Sequence, residues 1–182
     1  MNYNRRSFIK KLSILYGSIL LYPSCAGDAP PFRVFTRGEA DCLMALCEQI
    51  IPADHDAGAT EAGVIYFIDR QTHLRFTGDL PVFQKGIAAL QATCEGEYGL
   101  PFEKTEPSTQ VEIMRNMERG RLPAEYWEDA HQQTFFNLTL NRTMQGFYGS
   151  PRHGGNKNYV SYRMLRLDYP LVVGQNRYRD GK

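Results

Sequence analysis

The chain has 182 residues, the size of one domain with room for an appendage. An apolar share of 42% with 23% charged residues excludes a largely disordered chain. Residues 1–24 carry Arg5, Arg6, Lys10 and Lys11 and no acid, which leaves 17 bases against 20 acids in the remainder. A mildly acidic body excludes a general nucleic-acid binder, and no apolar run approaches the roughly 18 residues of a spanning helix.

The N-terminus reads as an address. A basic patch from Arg5 to Lys11 precedes the uncharged stretch Leu12–Tyr22, and Pro23, Ser24, Cys25, Ala26 and Gly27 follow. That is the order of a signal peptide, and the apolar stretch is too short to span as a helix. Within it, Arg5, Arg6, Phe8, Ile9 and Lys10 fit the twin-arginine export pattern, a receptor-read signal for cargo that crosses already folded. Cys25 follows a small residue just after the apolar stretch, as in a lipoprotein box, although Tyr22 and Pro23 depart from the usual residues. Lipid on Cys25 would anchor the mature chain. The expected organisation is a signal over 1–24, a linker over 25–35, a helical domain over 36–170 and a tail over 171–182.

The body predicts about five helices and an all-α fold. Thr36 and Glu39 form a capping box, and Leu43, Leu46, Cys47, Ile50 and Ile51 share one helical face that Pro52 ends. A second helix is expected from about Thr60 to Leu74 with Val64, Phe67 and Ile68 inward. A third follows Asp79 with Pro81 in its first turn, carries Phe83, Ile87, Leu90 and Cys94, and is closed by Gly96 and Gly99. A fourth follows Pro107 with Val111, Met114 and Met117. Pro123 opens a fifth and longest helix, with Trp127, Ala130, Phe135 and Leu138 inward, ending near Gly146. The stretch from Phe147 to Asn158 is rich in glycine, proline and asparagine, which predicts a long ordered loop. Beyond it, Tyr159, Tyr162, Arg163 and Arg166 have the aromatic and arginine composition of an interface.

Cys42 and Cys47 lie five apart on one helix, about 140° around it, so they should not bridge there. Core packing is the expected role of Cys47 and Cys94. Asp54, His55 and Asp56, with Asp69 and His73 on the next helix, could hold a metal; residues in such places more often cap a helix and face solvent, and no metal site is assigned. No dinucleotide, haem-attachment or nucleophile-elbow motif occurs. In the glycine loop, Phe147, Tyr148, His153, Gly154, Gly155 and Asn156, with Tyr162 beyond it, are candidates to touch a partner. The alternative is that Gly154, Gly155 and Asn156 only turn the chain.

Two stretches carry a resemblance. One is Ile50-Ile51-Pro52-Ala53-Asp54 with Ala62-Gly63-Val64 and Phe67-Ile68-Asp69. The other runs from Gly146-Phe147-Tyr148-Gly149 to Gly154-Gly155-Asn156-Lys157. Together they resemble the gluconate 2-dehydrogenase subunit 3 family, the small subunits of flavin-dependent sugar and polyol dehydrogenases. Departures occur at Ser161-Tyr162 and at Leu167–Leu171. The resemblance implies a subunit with no catalytic or cofactor residues of its own. It implies a glucose-methanol-choline family flavoprotein partner holding FAD, a cytochrome c subunit with haem c, and the twin-arginine translocase. The other reading of the sequence is a free-standing periplasmic lipoprotein that binds a ligand or an envelope protein.

Overall fold

The computed structural model describes residues 32–167. The export-signal residues Arg5, Arg6, Phe8, Ile9 and Lys10, the lipid candidate Cys25 and the tail over 171–182 lie outside that range. Six helices make up the fold: α1 (Arg37–Ile50), α2 (Val64–Leu74), α3 (Asp79–Tyr98), α4 (Pro107–Glu118), α5 (Gln132–Tyr148) and the short α6 (Val160–Met164). No strand occurs among the described residues, so the all-α expectation holds.

Helix α1 begins at the expected capping box. Thr36 Oγ1 accepts from the Glu39 N–H at 3.3 Å, and a Glu39 carboxylate oxygen accepts from the Thr36 N–H at 2.7 Å. The helix runs through the centre of the molecule and packs against α2, α3, α4 and α5. Leu43, Leu46 and Cys47 are buried as expected, Ala40 joins them on the same face, and Cys42, about 140° around the helix from Cys47, is buried as well. That centrality explains how two cysteines far apart around the helix are both inside.

Helix α2 starts at Val64, four residues later than expected. Residues 59–63 form a turn closed by Gly63 in the left-handed region (φ 68°). Helix α3 ends on Gly99, also left-handed (φ 70°). Gly96 does not close it. Gly96 lies inside the helix, where the Tyr126 hydroxyl occupies the space a side chain would fill. In α4, Ile113 and Met117 are fully buried, Met114 nearly so and Val111 partly. Gln110 joins that face because its amide donates to the Phe102 and Thr105 carbonyls at 2.9 and 3.2 Å.

The largest correction concerns the fifth helix. Pro123 opens only a 3-10 turn (Ala124–Tyr126), and α5 begins at Gln132. Gln132 reaches back ten residues, accepting from the Leu122 N–H and donating to the Leu122 carbonyl, both at 3.0 Å. These bonds stabilise a non-helical excursion between the two. Trp127 is buried as expected, but it projects from that excursion, and its indole N–H donates to Thr93 Oγ1 at 3.0 Å. The longest helix is α3, with 20 residues against 17 in α5. The expected long loop contains two 3-10 turns, and the sixth helix, unforeseen, follows it.

Cys42, Cys47 and Cys94 are all unpaired and buried in the hydrophobic core. Burial pushes the Cys47 and Cys94 thiols up to about 12 and raises Cys42 as well. The three thiols should therefore ignore a water-soluble disulfide reagent at pH 8 in the folded protein and react fully in denaturant. Reaction without unfolding would contradict the packing. The linkage has a sign. An unfolded thiol loses its proton near 9.0, whereas the folded ones hold theirs to about 12. Their contribution to stability is thus complete below pH 9 and falls as pH rises from there towards 12.

Candidate functional site

The two stretches that carry the sequence resemblance meet in space. The first begins where α1 ends. The Glu48 carboxylate accepts from the Ala53 and Thr60 N–H groups, each at 2.9 Å, and the Ile51 carbonyl accepts from the Ala59 N–H at 2.9 Å. Gly58 lies so close to Glu48 Oε1 and the Ala53 nitrogen that no Cβ would fit. This turn delivers Ala62 and Gly63 to the start of α2.

The second stretch closes on that point. The Lys157 N–H donates to the Ala62 carbonyl at 2.9 Å. Gly155 sits directly against the Gly146 carbonyl on α5, and Gly154 (φ 114°) lies against the Tyr66 backbone on α2. Gly146 in turn packs on Val64 and Phe67. Glycines are needed here because backbone meets backbone on both sides. The result is a clasp that ties the end of α5 to the start of α2.

Asn156 is the centre of the clasp and is fully buried. Its amide donates to the Gly149 carbonyl at 2.9 Å, and its Oδ1 accepts from the Ser161 N–H at 3.0 Å. Its backbone is left-handed (φ 49°), as are those of Asn158 and Tyr159. Asparagine is among the few side-chain-bearing residues that tolerate this region, which is why Asn stands where the chain reverses. Two further bonds hold the clasp to α2: Arg70 donates to the Arg152 carbonyl at 3.0 Å, and Gln71 to the His153 carbonyl at 3.3 Å.

The seven candidate contact residues therefore divide. Phe147, Gly155, Asn156 and Tyr162 are buried and turned to the packing of their own chain. Burial pushes the Tyr162 phenol up, while the nearby Arg152 charge and the Asn156 side chain pull it back. Tyr148 and His153 are exposed, and Gly154 is half-buried. Beside them stands Tyr66, half exposed, with its ring stacked on Phe32 at 5.7 Å.

The Asp54, His55, Asp69 and His73 group does not come together as a metal site. Asp54 accepts from the Asp56 N–H at 2.9 Å in a local turn, and His55 and His73 face solvent. Asp69, expected at the surface, is buried. Its carboxylate accepts from the Arg33 N–H at 2.8 and 2.9 Å and from the Val34 N–H at 3.0 Å. It fastens the segment before α1 to α2. Among the described residues no three histidine, cysteine or acidic groups converge as metal ligands. None of the described helices is long and apolar enough to cross a membrane.

Sequence reasoning missed the structural roles of Glu48 and Asp69. The signal for Asp69 was present: a carboxylate directly following the inward pair Phe67 and Ile68 needs buried donors.

The arrangement defines a small helical domain in which a glycine clasp fastens the stretch after α5 to the start of α2, with a polar and aromatic surface around it. The chain belongs to the gluconate 2-dehydrogenase subunit 3 family, whose profile matches residues 37–168. The family name places such chains among the subunits of a dehydrogenase assembly. Comparison with curated proteins and with solved structures returned no match.

Proposed function

We propose that the chain is the small, non-catalytic subunit of a periplasmic FAD-dependent sugar dehydrogenase, gluconate 2-dehydrogenase-like or glycoside 3-dehydrogenase-like. It supports twin-arginine export, assembly and stability of a glucose-methanol-choline family flavoprotein. The observation that carries this reading is the family match across nearly the whole helical body, residues 37–168. The twin-arginine pattern at Arg5, Arg6, Phe8, Ile9 and Lys10 supports it. A flavoprotein that takes up FAD in the cytoplasm must cross folded. One signal-bearing chain can carry such a partner only if the two dock tightly beforehand, which calls for an interface of at least about 1,000 Å². FAD belongs to the partner, haem c to a cytochrome subunit that accepts the electrons, and Cys25 is the point of lipid attachment.

The export role has a direct test. Changing Arg5→Lys and Arg6→Lys together should leave both this chain and the flavoprotein in the cytoplasm of the native host, as read by fractionation and dehydrogenase activity. A flavoprotein that still reaches the periplasm at the wild-type level would show that it carries its own address, and the export role would fall.

A further inference from the structure

Charge is segregated along this fold. Residues 130–167 contain no acid and five bases, Arg142, Arg152, Lys157, Arg163 and Arg166, while residues 32–129 contain 17 acids against nine bases. Arg142 is neutralised by Asp79 at 2.6 Å. The only other ion pair among the described residues is Arg37 with Asp41, so Arg70, Arg152 and Lys157 have no carboxylate partner there. All three are exposed and meet at the clasp. Arg70 bonds the Arg152 carbonyl, and Lys157 is anchored to Ala62 through its N–H. An exposed acid, Glu61, borders the patch.

The aromatic content of the patch is equally specific. Tyr66 is 50% exposed and Tyr148 38% exposed. Tyrosine and arginine together are the composition of a protein hot spot. The backbone beneath is held by Gly154, Gly155 and Asn156, so little ordering remains to be done on binding. We propose that the clasp face docks onto an acidic, protein surface of the larger dehydrogenase subunit, an inference that rests on the function proposed above. The complementary charge of that surface follows from exposed bases on an acid-free stretch, Arg152 and Lys157 with Arg163 and Arg166 beyond them, joined at the clasp by Arg70 of α2. An anionic bilayer is the poorer fit, because the exposed acid Glu61 borders the patch and the half-exposed rings of Tyr66 and Tyr148 accompany the bases.

The test uses the complex co-expressed in its native host. A zero-length carbodiimide should couple the Lys157 amine to a carboxylate of the flavin-bearing subunit, located by peptide mass spectrometry. The double variant Arg152→Glu, Lys157→Glu should keep its melting temperature, since both side chains are exposed, and lose affinity for that subunit by about a hundredfold. The double variant Arg115→Glu, Arg119→Glu, at the C-terminal end of α4, should pair as wild type. Wild-type pairing by the clasp variant would overturn the docking face and leave the subunit role standing. A wild-type chain that recovers no flavin-bearing subunit would overturn both. A clasp variant that keeps its partner and loses binding to phosphatidylglycerol vesicles would reassign the face to the bilayer and overturn the proposal.

Discussion

Asn156→Ala lowers the stability of the folded chain by about 3 kcal/mol and the melting temperature by about 10 °C. Two bonds vanish at once, leaving the Gly149 carbonyl and the Ser161 N–H without the side chain that served them. Each orphaned group costs about 1–3 kcal/mol where water cannot reach it. Alanine also tolerates the left-handed backbone at this position (φ 49°) less well than asparagine. Asn156→Asp should recover little, because a carboxylate can accept from Ser161 but has no proton to donate to Gly149. The check is thermal or denaturant unfolding of the isolated chain. A melting temperature within about 2 °C of wild type would mean that the clasp does not organise the end of the fold.

Gly155→Ala should be as damaging for a different reason. The added Cβ would overlap the Gly146 carbonyl oxygen and stand 2.8 Å from its carbon and 3.0 Å from the Gly146 Cα. All three are backbone atoms of α5, which cannot swing aside as a side chain can. The helix and the clasp must separate, at an expected cost of about 3 kcal/mol or more. Gly38→Ala is the matching control. Gly38 lies in α1 with nothing within 4 Å of its added Cβ, so the change should stabilise by about 0.5–1 kcal/mol. Denaturant midpoints moving in opposite directions for the two variants would bear out the close approach. Equal, small effects would contradict it.

What could be read from the sequence was local. The capping box at Thr36 and Glu39 and the stop at Gly99 depend on neighbours a few residues apart, and both appear where expected. The period of Leu43, Leu46 and Cys47 correctly marked a buried face. What failed depended on distant partners. Pro123 is compatible with a helix start, and the intervening residues are held out of one by partners far in sequence, Gln132 on Leu122 and Trp127 on Thr93. Gly96 looked like a terminator because its role is set by Tyr126, thirty residues on. Composition leaves Asn156 balanced between a partner contact and a turn, since it cannot say which way a side chain faces. Its burial and its two bonds assign it to the turn. The family resemblance was legible because it rests on residues in sequence order. That its two stretches form one clasp emerges only in three dimensions.

The most direct test of the account is affinity purification of the tagged full-length chain from its native host, with mass spectrometry and a visible spectrum of the eluate. The account predicts a roughly stoichiometric larger subunit and an absorbance band near 450 nm from its flavin. A colourless eluate containing the chain alone would contradict the subunit role and leave the family likeness as a likeness of fold.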